Sequence, residues 1–270
     1  MSKTVLVFAA HPDDAEFFAG GTLAKMAREG ARVLMVIATN GDKGSFVHDP
    51  VTLSRLRAEE ARRAAAVLGA EPPILLGHPD LELDRLPPGL LREQFVRLIR
   101  QHRPDVVFAQ DPWCPFEVHP DHRAVAWAAS DAVAFASLPS FYPEQIAEGL
   151  APHFAVEKYF FTSEPSPADR VVDIEETLEV KIAALAEHRT QVEFLVEDAR
   201  RQVEAAGLEI GSILGAEAAD PLALLAWAVE RQAAEIGRAA GFLYGEAFRY
   251  SRFHPVVEAL LTPPEARRSF

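Results

Sequence analysis

Apolar and polar positions alternate along this chain in two repeating patterns. Thr4–Ala10 is a short apolar and β-branched run, Ala15–Glu29 carries helical spacing, and Arg32–Thr39 is strand-like again. The pattern then repeats, with a helix over Leu53–Leu68, a strand at Ile74–Leu76, a helix over Leu90–His102, a strand at Asp105–Ala109 and a helix from about Asp121 to Ala136. Such alternation predicts a parallel sheet covered by helices on both faces. Tyr159–Thr162 and Val171–Ile174 read as two more strands around the Pro- and Ser-rich loop Ser163–Asp169. After Glu175 the pattern turns helical, through Val180–Glu204 and Leu222–Arg238, with Gly207–Asp220 as the loop between them. Gly20-Gly21 falls inside the first helical pattern. A helical glycine costs about 1 kcal/mol relative to alanine, so the pair predicts close packing of this helix on the sheet.

Ligands of open parallel sheets bind beyond the carboxyl ends of the strands. The first four strands end there in His11-Pro12-Asp13-Asp14, Asn40-Gly41-Asp42-Lys43-Gly44, Gly77-His78-Pro79-Asp80 and Gln110-Asp111-Pro112-Trp113, and His119-Pro120-Asp121-His122 opens the next helix. Together they put histidines and carboxylates on one rim. Imidazole and carboxylate ligands suit zinc, and HxxD followed at long range by HxxH can supply three of them. Adjacent aspartates point in different directions, so one can bind the ion while its neighbour accepts a proton from the attacking water. Plainer readings exist for each residue. Asp13 or Asp14 can cap the first helix and Asp121 the later one, leaving His119 and His122 on the surface. Arg57 can pair with Glu59 or Glu60 on its own helix, and Trp113 can be core or a platform for a sugar's apolar face. His48, His78, His102 and His153 read as surface or turn residues, and the sequence offers no pairing evidence for Cys114 as a nucleophile. There is no GxGxxG after the first strand and no Walker pattern, which argues against a dinucleotide.

Composition narrows the choice further. With 27 basic and 40 acidic residues the net charge is −13, which opposes binding to nucleic acid or to an anionic membrane surface. One cysteine rules out an internal disulfide. The longest early apolar stretch, Val5–Ala10, is too short for a signal-peptide core or a membrane span, so a cytoplasmic location is expected.

HPDDAEFFAGGT together with HPDH resembles the PIG-L/LmbE-type zinc-dependent deacetylases, which remove acetyl from N-acetylglucosamine groups. The likeness continues through TNGDKGS, RAEEARRAAAVLGA, RPDVVFAQDPW, VVDI and KIAALAEHRTQ. Within that family, DPWCPFEVHPDHR, AFASLPSFYPE and GFLYGEAFR are similar to the diacetylchitobiose deacetylases. The resemblance implies that His11, Asp14 and His122 bind one zinc ion and that Asp13 is the general base. It implies that His119 contacts substrate or the oxyanion, with Asp121 orienting it, and that Arg57 and Asp80 hold sugar hydroxyls. Some members carry a tyrosine two residues before HPDH. Glu117 stands there in this chain, which leaves the acid that protonates the leaving amine open. A C-terminal histidine, here His254, is implied to reach a neighbouring subunit's site, which requires a homo-oligomer, a trimer or hexamer.

The expected architecture is α/β, a Rossmann-like three-layer fold with a mainly parallel sheet. It is read as one domain over residues 1–270, a core of 1–175 carrying a helical C-terminal extension, 176–270. The expected reaction is deacetylation of an N-acetylated amino sugar, N-acetylglucosamine or its β-1,4-linked dimer. Deacetylation of a glucosaminyl-malate thiol precursor, or amidase action on a thiol conjugate, is the enzymatic alternative. A metal- or sugar-binding module without turnover is the other.

Overall fold

A computed structural model describes residues 2–161, 168–208, 220–253 and 255–261. One seven-stranded sheet organises them: β1 Thr4–Ala9, β2 Arg32–Thr39, β3 Ile74–His78, β4 Val106–Gln110, β5 Glu157–Phe161, β6 Arg170–Asp173 and β7 Gly245–Ser251, in the order β3-β2-β1-β4-β5-β7-β6. Strands β1 to β5 run parallel to one another, while β7 is antiparallel to both β5 and β6.

Both faces of β1 are buried, which is why it reads as a continuous apolar run rather than an alternation. Leu6 and Phe8 face a core completed by Phe95 and Ile99 of α3 (Leu90–His102) and Val125 and Ala129 of α4 (Pro120–Phe135). Val5 and Val7 face the opposite core, built with Ala19 and Leu23 of α1 (Asp14–Arg28), Ala64 of α2 (Pro50–Leu68) and Ala184 of α6 (Leu178–Ala186). The strand order reverses between β1 and β4, β2 and β3 being added on one side and β5 on the other, and this switch point opens a crevice at their carboxyl ends. A short helix, α5, covers Pro143–Ala147, and the remaining helices are α7 (Arg189–Ala205), α8 (Pro221–Ala240) and α9 (Pro255–Leu261). Among the described residues no helix is long and apolar enough to cross a membrane.

Two features depart from the sequence reading. The helical pattern over Val180–Glu204 is broken at His188, where α6 ends and α7 begins. In addition, the C-terminal part contributes β7, which slots between β5 and β6. Its period-two pattern is disguised because a glutamate occupies a buried position. Glu246 is 2% exposed and accepts from the Gly21 and Thr22 amides at 2.9 and 2.7 Å, from Thr22 Oγ1 at 2.6 Å and from Lys181 Nζ at 2.7 Å. The glycine pair does permit close packing, but against the segment after β6: a Cβ on Gly21 would sit 2.8 Å from Ile174.

Glu246 therefore locks α1, α6 and β7 together. Replacing it by leucine leaves the buried Lys181 ammonium and three donors without partners, and breaking a buried pair in this way costs about 3–5 kcal/mol. Urea unfolding of Glu246→Leu should show that loss, and a change below about 1 kcal/mol would contradict it.

Candidate active site

The site is organised by a sharp turn between β1 and α1. Asp13 has φ 125° and ψ −26°, a conformation non-glycine residues rarely adopt, and such strain persists only where surroundings enforce it. Arg57, 3% exposed, is the enforcing group: its Nη2 donates to Pro12 O at 2.7 Å and to Asp13 Oδ1 at 3.2 Å, and its Nη1 donates to Gly41 O at 3.2 Å. Gly41 is required there, since a Cβ would lie 2.6 Å from the guanidinium. Although Asp13 occupies the N-cap position of α1, its side chain makes no capping hydrogen bond. Asp14 points elsewhere. Its Oδ2 accepts from the amides of Ala10 and His11 at 2.9 and 2.8 Å and from Gln110 Nε2 at 3.0 Å.

The Asp14 carboxylate faces two imidazoles, one from each oxygen. Oδ1 faces His122. It lies 3.3 Å from His122 Nε2, which is 3.2 Å from His11 Nδ1, and His11 Nδ1 lies 3.4 Å from Asp14 Oδ2. The far nitrogen of each ring meets a carboxylate: His11 Nε2 is 3.1 Å from Asp80 Oδ1, and His122 Nδ1 is 3.1 Å from Glu117 Oε2. His119 stacks on His122, with ring centroids 4.7 Å apart, and donor atoms of His11, His119 and His122 all fall within 4.8 Å of one another. A second such grouping joins His11, Asp80, His119 and Asp121. The protein thus contains a cluster able to hold a metal ion.

Asp121, fully buried, does not cap α4 through its carboxylate. Its two oxygens accept from the amides of Leu81 and Leu83 at 2.6 and 3.0 Å, tying the loop after β3 to the rim. The cap of α4 is His119, whose Nδ1 accepts from the Asp121 amide at 3.2 Å, and this fixes the ring proton on Nε2. Burial, followed by the charges of His11 and His122, keeps the His119 pKa below the usual value. It is a neutral donor.

The two aspartates are electrostatically opposite. Burial pushes the Asp13 carboxyl up to about 6, although Arg57 pulls it down. Burial would also raise Asp14, but His122 and His11 outweigh it and hold Asp14 well below the ordinary range. Burial would lower His122, yet Asp14 and Glu117 lift it to about 10.

These groups line one cavity of about 490 Å³. It gathers His11, Asp13, Asp14, Arg57, Asp80, His119 and His122, with Asp121 directly behind. Phe17, Phe18, Phe194 and Leu195 supply its apolar wall. Trp113 lies outside. Asp111 Oδ1 accepts from the Trp113 amide at 2.9 Å and turns the chain away, so the indole lines a neighbouring cavity, packed edge-on against Trp127 and Phe160. His254 is outside the described residues. The sequence reading passed over Gln110, and it saw Glu117 only as a departure from a motif. The signal for Gln110 was a glutamine at a strand's carboxyl end.

A strand-end rim that joins an ion-sized donor cluster to a buried acid of raised pKa defines an α/β enzyme of the metal-assisted hydrolase class. Comparison with known proteins narrows the class. The family of GlcNAc-PI de-N-acetylases, PIG-L, matches residues 6–133. A diacetylchitobiose deacetylase of Thermococcus kodakarensis is 35% identical over 192 residues, 70% of this chain and 70% of that protein. The chain belongs to the PIG-L deacetylase family. The solved structure of the N,N'-diacetylchitobiose deacetylase from Pyrococcus horikoshii, complexed with an inhibitor, superposes with a TM-score of 0.75 at 29% identity, covering 98% of this chain and 89% of that one. The 4-carboxy-2-hydroxymuconate hydratase GalB of Pseudomonas putida superposes with a TM-score of 0.68 at 20% identity, covering 93% and 97%. That likeness concerns the fold alone, and it means that residues rather than architecture must carry the functional assignment.

Two outcomes follow for metal uptake. In the metal-free protein His122, lifted to about 10, is protonated at pH 7, and an ion at Nε2 must displace that proton. Affinity should therefore rise with pH from 6 to 9, and calorimetry in buffers of different ionisation enthalpy should register proton release; uptake without protons would contradict this. Asp80→Asn should weaken affinity about 10–100-fold by loosening His11, and an unchanged affinity would remove Asp80 from that role.

Proposed function

We propose that this protein is a zinc-dependent N-deacetylase of N-acetylated amino sugars, with N-acetylglucosamine or its dimer as substrate, and that His11 Nδ1, Asp14 Oδ1 and His122 Nε2 hold the ion. One observation carries the reading. Zinc–ligand bonds of roughly 2.0–2.1 Å place tetrahedral ligands roughly 3.3–3.4 Å apart, and these donors are separated by 3.2 and 3.3 Å where Asp14 Oδ1 and His11 Nδ1 each face His122. The outer carboxylates support it, since metal-bound histidines ordinarily give their second ring nitrogen to such a partner. The competing set built on Asp80 and Asp121 is disfavoured because both Asp121 oxygens already accept backbone amides.

When bound, the ion would polarise the acetyl carbonyl and acidify the attacking water. Asp13 takes the proton of the attacking water. Its pKa of about 6 leaves it ionised at neutral pH yet basic enough to hold that proton and return it to the leaving nitrogen. The Nε2–H of His119 donates to the oxygen on which negative charge develops. Arg57 keeps Asp13 in its strained conformation, so part of its guanidinium is committed to the loop rather than to sugar hydroxyls. Glu117 is engaged with His122 and the His119 amide, which makes Asp13 the better acid for the amine.

Acetate release measured on N-acetylglucosamine, diacetylchitobiose and glucosaminyl-malate, with and without chelator, tests the assignment. Release from an amino sugar that stops with chelator and returns with zinc is expected; chelator-insensitive release, or none on any substrate by zinc-loaded protein, would refute it. Asp13→Asn should retain the ion and lose about 10²–10⁴-fold in kcat, and near-normal turnover at full occupancy would remove Asp13 from the base role.

A further inference from the structure

We propose that Gln191 is a specificity-determining residue whose side-chain Oε1 accepts a hydrogen bond from one hydroxyl of the acetylated ring. The inference rests on the reading of this cavity as the site of an amino-sugar deacetylase. Gln191 lies in the first turn of α7 and lines the cavity that gathers His11, Asp13, Asp14, His119 and His122. Its Oε1 is buried and has no hydrogen-bond partner. An unpaired buried acceptor is destabilising, so an apolar side chain would complete this wall at less cost if nothing entered to satisfy the amide.

The other polar groups of the wall are largely committed to the protein. Asp80 has Oδ1 3.1 Å from His11 Nε2 and Oδ2 3.4 Å from the Lys43 amide. Arg57 spends Nη1 on Gly41 O and Nη2 on Pro12 O and Asp13 Oδ1. Lys43 donates to Asp80 O and pairs with Glu82 and Asp42. Gln191 Oε1 is free of such ties, and it is held in place. Glu60 accepts from Thr190 N at 3.0 Å and Thr190 Oγ1 at 2.6 Å, which pins the preceding residue, and the following one, Val192, is buried among Leu185, Leu225 and Val229. Gln191, Phe194 and Leu195 stand at i, i+3 and i+4 on one face of α7, and all three line the cavity. An acceptor set among apolar side chains discriminates strongly, because a ligand lacking the matching donor leaves it unpaired. Across from it, a Cβ on Gly44 would lie 3.2 Å from Gln191 Oε1 and 3.2 Å from Arg57 Nη1, so the bare glycine leaves room for both groups. An amino sugar offers two kinds of donor, its hydroxyls and the acetamido N–H. The acetamido group has to meet the imidazole cluster and Asp13 for its bond to break, which leaves a hydroxyl for the α7 wall.

Acetate release by the zinc-loaded enzyme tests this role, measured on N-acetylglucosamine and on its analogues deoxygenated at position 1, 3, 4 or 6, with kcat, KM and bound metal read for each protein. Gln191→Met keeps the side-chain length and removes the acceptor. It should raise KM for N-acetylglucosamine about 3–10-fold, with kcat within about two-fold and metal content unchanged, as expected for a contact made equally in ground and transition states. The parent enzyme should discriminate by a similar factor against one deoxy analogue, and Gln191→Met should lose that discrimination while keeping the others. Gln191→Glu, which restores an acceptor at the same length, should regain it. If Gln191→Met fails to fold, Gln191→Ser, too short to present the acceptor, enters the same panel with the same expectation. Unchanged KM in the variant, or an equal loss on every analogue, would overturn the proposal while leaving the deacetylase reading intact. No acetate from any amino sugar by the zinc-loaded parent would instead overturn that reading and this proposal with it.

Discussion

The chain reversal between β1 and α1 is the constraint on which the rest of the site depends. Two consecutive aspartates leave it in different directions, Asp14 toward the imidazoles of His11 and His122 and Asp13 toward Arg57. Achieving this places Asp13 at a φ of 125°, a strain of about 1–3 kcal/mol that the Arg57 guanidinium offsets through Pro12 O and the Asp13 carboxylate. The same turn brings the Ala10 and His11 amides onto Asp14 Oδ2, so the remaining oxygen is aimed rather than free to rotate. Gly41 has no side chain because the guanidinium occupies that space.

Layers around this turn keep it in place. Asp49 caps α2 by accepting from the amides of Val51 and Thr52, which sets the helix that delivers Arg57. Glu60, three residues further along α2, grips Thr190, and Glu246 grips α1 and Lys181. The contacts of Glu60 with Thr190 and of Glu246 with α1 join segments more than 100 residues apart in the chain. The C-terminal part thereby becomes a wall of the cavity, through Phe194 and Leu195 of α7. Local strain at the catalytic turn is thus balanced by buried polar contacts whose effect reaches the site through rigid helices.

The parallel core was legible because β1, β2 and β4 bury apolar runs and the helices packed on them carry apolar stripes. The convergence of His11, Asp14 and His122 on one cavity was legible because ligand chemistry and the strand-end rule both pick them out. What could not be read depends on partners far away in sequence. Glu246 hides β7 because a buried glutamate is meaningful only beside Lys181. Asp80, expected to hold sugar hydroxyls, has one oxygen on His11 and the other facing the Lys43 amide. Asp121, expected to orient His119, gives its carboxylate to the loop after β3 instead. Trp113 follows a strand end, as the ligand rule requires, yet the Asp111 turn diverts it to a neighbouring cavity. The rule places segments on a rim, and hydrogen bonding then decides which side chains face inward.

Anomalous diffraction at the zinc edge from zinc-loaded crystals tests the central claim most directly. A single peak within about 2.0–2.2 Å of His11 Nδ1, Asp14 Oδ1 and His122 Nε2 is the expected result. A peak ligated through His11 Nε2, Asp80 and Asp121, or no peak in this cavity, would contradict the account.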